Sequence, residues 1–192
     1  MNLPDESVEW HPKSRWETSG KPVGGMRNMD AQNAELNAAA AGNAMSEAYV
    51  HFLQCSRQWR GFLDAMKQEF TAALPPQELR RLMVRVGRRF AQSHPLQARE
   101  TLPQLQQEMN RIWSERDWGT VEIAQSDREL TINHQFSPLS AAFGAPDAEW
   151  STGYLQGVYQ QWFDTAGATG LKVETAKQSD QWGSARFRLV AA

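Results

Sequence analysis

The stretch from Trp150 to Val190 constrains the fold most: WSTGYLQGVYQQWFD, a Gly-rich break, then two strand-like runs, LKVETA and ARFRLV. Tyr154, Val158, Trp162 and Phe163 recur at helical spacing, which predicts a helix whose bulky stripe packs on a sheet or another helix. Gly157 interrupts that stripe. Glycine costs about 1 kcal/mol relative to alanine inside a helix, so its presence predicts a close backbone approach. No pair of titratable side chains at catalytic spacing lies in this segment. It is built for packing.

The whole chain has 192 residues, 41% of them hydrophobic, enough for one compact domain with an appendage. A formal net charge of -2 gives no electrostatic case for nucleic acid. Cys55 is the only cysteine, which rules out an internal disulfide and fits a reducing compartment. The opening MNLPDESVEWHPKSRWE carries acidic residues and no apolar centre, unlike a secretory signal. No apolar run approaches the roughly 20 residues that cross a bilayer. The expectation is a soluble cytoplasmic protein with no direct membrane span; the periplasm is the alternative.

Residues 1–45 lack hydrophobic periodicity and read as a disordered or conditionally helical arm. Trp10 and Trp16 lie in its polar, Pro-containing part, where nothing local buries them, and are candidate partner contacts. Residues 46–192 read as a single domain. Its first helix runs from Glu47 to Pro75-Pro76, with Tyr49, Phe52, Leu53, Phe62, Leu63, Met66 and Phe70 inward. A second helix turns Leu79, Leu82, Met83, Val86 and Phe90 inward. A third carries Leu102, Leu105, Met109, Ile112 and Trp113, with Thr101 as cap and Pro103 in its first turn. At Trp118-Gly119 the period changes to two: Val121 and Ile123 alternate in one strand, Leu130 and Ile132 in the return. After the Gly157 helix come strands Leu171–Ala176 and Ser184–Val190. Helices, hairpin, helix, hairpin predict an α+β fold whose small, mostly antiparallel sheet is covered on one face.

Chemistry-bearing patterns are sparse. His11, His51, His94 and His134 are scattered without metal-ligand spacing; His51 and Cys55, one helical turn apart, supply at most half a site. Phosphate loops, nucleophile elbows and zincin motifs are missing. Asp147 and Glu149 sit at a helix start, where carboxylates favour the dipole, so they read as caps and not as a glycosidase pair. No cofactor is expected. Arg80, Arg81, Arg85, Arg88 and Arg89 form a basic stripe on the second helix, read as a solvated face or one paired with carboxylates such as Glu100 and Glu108 or those of a neighbouring subunit, with phosphates or anionic lipid as the lesser alternative. In ARFRLV, Phe187 and Leu189 alternate with Arg186 and Arg188; at a sheet edge this strand, or Leu171–Ala176, invites strand addition.

Four collinear stretches, MVRVGRRFA, TLPQLQQEMNRIW, WGTVEI and GYLQGVYQQWF, resemble the cellulose synthase operon protein D family from about Leu79 to Leu189. The resemblance implies a non-enzymatic accessory component of bacterial cellulose secretion, assembled as an octameric ring of dimers. It further implies a Pro-rich companion protein, association with the cellulose synthase complex, and promotion of crystalline cellulose deposition. On this reading the chain is a scaffold that organises synthase complexes by avidity. Packing or contact between protomers is expected of Trp118, Gly119, Tyr154, Gly157, Tyr159, Trp162, Val173 and Phe187. A cylinder that guides glucan chains is the alternative, with Trp182 in its polar loop as a stacking residue beside Trp10 and Trp16. A small-molecule sensor with Gly157 lining an apolar pocket is a third possibility.

Overall fold

A computed structural model describes residues 54–97, 101–126, 129–144 and 149–191, with the isolated positions Gln32, Asn33, Leu36, Asn37, Ser46 and Tyr49. The chain divides into two units, 1–41 and 42–192. Gln32, Asn33, Leu36 and Asn37 are the described part of the first; all are helical and exposed. Trp10, Trp16, His11, His51, Glu100 and Asp147 lie outside the described residues.

Pro-Pro punctuation and apolar spacing set the first two helices of the second unit, α1 (Arg57–Ala73) and α2 (Pro76–Ser93). Pro75 forces Leu74 to be extended, ending α1, and Pro76 opens α2 where its missing N–H costs nothing. The Thr101 side chain caps α3 (Leu102–Ser114) by accepting from the Gln104 N–H at 3.4 Å. Strands β1 (Thr120–Gln125) and β2 (Leu130–Gln135) follow as a hairpin. The Pro/Ala/Gly stretch after them, read as a loop from the sequence, contains a short helix α4 (Leu139–Phe143). A 3-10 turn (Glu149–Thr152) then leads into α5 (Gly153–Thr165), and the second hairpin is β3 (Leu171–Lys177) with β4 (Ala185–Ala191). Glu149 stands in the first turn of that 3-10 segment.

The four strands make one antiparallel sheet in the order β1-β2-β4-β3. Its inner face carries rows such as Val121-His134-Ala185 and Ile123-Ile132-Phe187. Tyr159 of α5 packs on Phe187 at 5.6 Å between ring centroids. The outer face is polar, with Arg186 on Asn133 and Arg188 on Glu174. Among the described residues this is an α+β fold with helices on one sheet face.

Two expectations need correction. The first helix does not run unbroken from Glu47: Gln54 is helical, Cys55 and Ser56 are not, and α1 restarts at Arg57. No α1 residue is fully buried, and Phe62, placed in the core by periodicity, is 58% exposed. The strand β4 is not an edge. It pairs with both β2 and β3, so its alternating Phe187 and Leu189 line the centre of the core.

Candidate functional site

The glycine in α5 does meet a backbone. A Cβ on Gly157 would collide with the Val84 carbonyl of α2, and one on Gly87 of α2 would collide with the Tyr154 carbonyl of α5. Gly153 approaches the Arg80 carbonyl in the same way. Three glycines on two helices thus allow a crossing too close for side chains. The space beside Gly157 is occupied by the α2 backbone.

Tyr154, Tyr159, Trp162, Val173 and Phe187 are buried inside the protomer, and Trp118 is half-buried. The aromatic members join Phe90 and Trp113 in a cluster: Trp113 lies 5.2 Å from Trp162, and Trp118 4.8 Å from Tyr154. The Trp162 indole donates to the His94 carbonyl at 2.9 Å. Gly119 takes φ +83 and abuts the Gln135 carbonyl, a position closed to any other residue. None of the eight offers a large exposed surface. Trp182 lies in the β3–β4 turn, where the Asp180 carboxylate accepts from its backbone N–H.

His134 is a fully buried titratable group of the core. Its Nε2–H donates to the Trp118 carbonyl at 2.8 Å, which leaves Nδ1 to accept from the Tyr159 hydroxyl. Burial pushes its pKa down to about 4, against the smaller upward pull of the Trp118 bond. The Tyr159 hydroxyl is pushed well up by the same burial. A neutral imidazole locked between two partners and shut off from solvent holds a strand to a helix. Glu108, expected opposite the arginines of α2, is buried and bonds to Arg111 of its own helix at 2.8 Å. Among the described residues, no group of three His, Cys, Asp or Glu is placed to hold a metal.

Both outer edges of the sheet are occupied by side-chain amides. On β1, Asn110 of α3 donates to the Val121 carbonyl at 2.8 Å and accepts from its N–H at 2.7 Å. Gln106 accepts from the Ile123 N–H at 2.7 Å. On β3, Gln160 of α5 accepts from the Val173 N–H at 2.8 Å, and Gln156 donates to the Val173 carbonyl at 2.8 Å. Strand addition at Leu171–Ala176 must therefore first break these bonds. The sequence signal was present as Asn and Gln on the sheet-facing sides of two helices, but amides there read as ordinary polar positions.

One open stretch of the surface is apolar. Helices α1 and α2 diverge from the Leu74-Pro75 turn and leave a groove of about 420 Å³. Leu63, Met66 and Phe70 form one wall, Leu82 and Val86 the other, and Met83, Trp118, Leu139 and Tyr154 the floor. Trp59 and Phe62 pack edge to face at 5.9 Å on α1, and are 57% and 58% exposed; Val86 is 43% exposed. Phe136, at φ 61, adds a further half-exposed ring in a backbone region that bulky residues rarely adopt. Among the described residues no helix is long and apolar enough to cross a membrane. Inward apolar periodicity pointed to Phe62 and Val86 but assigned them to the core.

Residues 45–190 match the family described as the D subunit of cellulose synthase. The chain is also similar to two proteins named cellulose synthase operon protein D, both from Komagataeibacter xylinus. To one it is 35% identical over 79 residues, 40% of this chain and 51% of that protein. To the other it is 29% identical over 117 residues, 59% of this chain and 75% of that protein. The chain thus spans about half the length of the first relative.

Proposed function

Because the chain belongs to the cellulose synthase D-subunit family, we propose that it serves bacterial cellulose synthesis as a non-catalytic, self-associating scaffold. Repeated copies around a symmetric ring organise synthase complexes and so promote ordered deposition of the polymer. The assembly implied by the family resemblance is an octamer, a ring of dimers, with the synthase complex and a Pro-rich companion protein as partners.

One observation carries this reading: the apolar groove and its lips. Trp59 and Phe62 are exposed on α1, and a groove of matching apolar character opens between α1 and α2. Knob and hole on the same protomer supply the two halves of a self-complementary contact, which a two-fold axis requires. Its occupant is a second copy of this chain, with the α1 aromatics of each protomer seated in the groove of the other. Exposed aromatic and aliphatic side chains at such density mark association surfaces in water.

Light scattering on the purified chain tests it. The wild type is expected to run as a multimer at micromolar concentration. Phe62→Glu should keep the wild-type circular dichroism and drop to a smaller species, because Phe62 supports the neighbour and not its own core. A wild type that stays monomeric at tens of micromolar, or a Phe62→Glu variant of unchanged mass, overturns the proposal.

A further inference from the structure

On the side of α2 away from the apolar groove lies a second groove, of about 610 Å³, with five cationic side chains among its lining: Arg80, Arg81, Arg85, Arg88 and Lys172. No carboxylate lines it. Arg81 is engaged by Glu78 at 2.7 Å and Lys172 by Glu174 at 3.5 Å, both from outside the groove. Arg85 and Arg88 are exposed and make no ion pair or hydrogen bond with any described residue.

Arg80 makes the groove more than a solvated face. It is partly buried, and its guanidinium is held by the Gln156 amide oxygen at 2.7 Å and the Thr175 hydroxyl. Neither partner carries charge. Burial lowers its pKa, with Glu149 only a partial electrostatic counterweight. A guanidinium drawn from water, fixed in place and left without a direct carboxylate is a preformed half of an ion pair.

We propose that this groove docks an acidic protein segment whose carboxylates pair with Arg80, Arg85 and Arg88. Three features select that class. Arg85 and Arg88 lie three residues apart on one side of α2, about 4.5 Å at 1.5 Å rise per residue, matching carboxylates at the same step on a partner helix. The floor includes Val84 and the alkyl stems of the arginines, which favours an amphipathic segment over a free anion. No aromatic ring lines the groove, so bases have nothing to stack on. Because α2 turns its apolar side to one groove and its cationic side to the other, a copy seated by its α1 face leaves this surface free.

The test is fluorescence anisotropy on the full chain. The probe is a labelled helical peptide with Glu at i, i+4 and i+7 and Leu between. The controls are the same composition scrambled, a labelled single-stranded RNA of equal length, inorganic phosphate as competitor, and phosphatidylserine vesicles. Saturable binding of the patterned peptide is expected at low salt, weakened at least tenfold in Arg85→Glu/Arg88→Glu. Arg89→Glu, which does not line the groove, should bind like the wild type. The double variant replaces exposed side chains, and unchanged circular dichroism and mass confirm that it folds and assembles. Equal binding of the scrambled peptide, tighter binding of RNA or vesicles, displacement by millimolar phosphate alone, or no effect of the double variant each overturns the proposal.

Discussion

Replacing Gly157 by alanine sets two physical terms against each other. Alanine in a helix interior gains about 1 kcal/mol over glycine. Against this stands the added methyl, which falls on the Val84 carbonyl and near the Val84 Cα of α2. Main-chain atoms of a packed helix cannot swing aside as a side-chain tip does. The two helices must separate, loosening Leu79 and Met83 against α5. Overpacking of this kind costs typically about 1–3 kcal/mol, and backbone on both sides puts it at or above the upper end. The net loss is then about 2 kcal/mol, or about 4–8 °C in Tm for a domain of this size. Gly61→Ala is the control: it lies in exposed α1 with nothing within 4 Å of an added Cβ. There only the propensity term survives, and a gain of about 0.5–1 kcal/mol is expected. Urea and thermal unfolding at fixed protein concentration read both. Gly87→Ala/Gly157→Ala should cost less than the sum of the singles, since the first methyl already opens the seam. A Gly157→Ala variant as stable as the wild type, or the same sign at Gly61 and Gly157, refutes the reasoning.

His134 should make stability pH-dependent. Its folded pKa of about 4 lies below the ordinary value of 6.5, so its contribution is complete above about pH 6.5 and is lost as the pH falls toward 4. At pH 5 the loss is about 2 kcal/mol. Urea midpoints from pH 7.5 to 4.5 should fall in the wild type and fall less steeply in His134→Gln; parallel profiles would exclude the imidazole as the cause. At the sheet edge, Gln160→Leu strips the partner from the Val173 N–H. It should cost about 1–2 kcal/mol and speed aggregation on mild heating, followed by turbidity. Unchanged turbidity would mean that the β3 edge needs no guard.

What the sequence revealed and what it hid follow from range. The glycine in the α5 stripe announced a close approach because glycine has a local cost that only a neighbour repays. Thr101 and the Pro75-Pro76 pair announced helix ends for equally local reasons. The position of β4 was not legible. Alternation along ARFRLV shows one wet and one dry face, but not whether backbone groups on both sides find partners. The groove was hidden for a related reason. Trp59, Phe62, Leu63, Met66 and Phe70 have the same spacing whether they cover the chain's own core or a neighbour's. Only the angle between α1 and α2 decides, and the residues between them, Trp118 and those of α4, are far away in sequence.

The closed edges and the open groove bear on each other. A four-stranded sheet with two unguarded edges offers a simple route to association, by strand against strand, and that route has no natural stopping point. Here Asn110 and Gln106 hold β1, while Gln156 and Gln160 hold β3. Each amide satisfies main-chain groups that another chain would otherwise seek, so adding a strand trades existing bonds for equivalent ones and gains little. The proposed association therefore uses α1 and α2, where apolar surface is exposed in the protomer. A helical face joined about a two-fold axis is used up when the pair forms. Growth beyond the pair then needs a second, different surface. On the proposed reading the cationic side of α2 is not that surface: it takes an acidic partner segment, a pairing that weakens with salt, whereas the apolar contact should not. Ionic strength separates the two: high salt should abolish binding of the acidic peptide while the mass of the multimer stays unchanged, and a mass that falls with salt would refute this division.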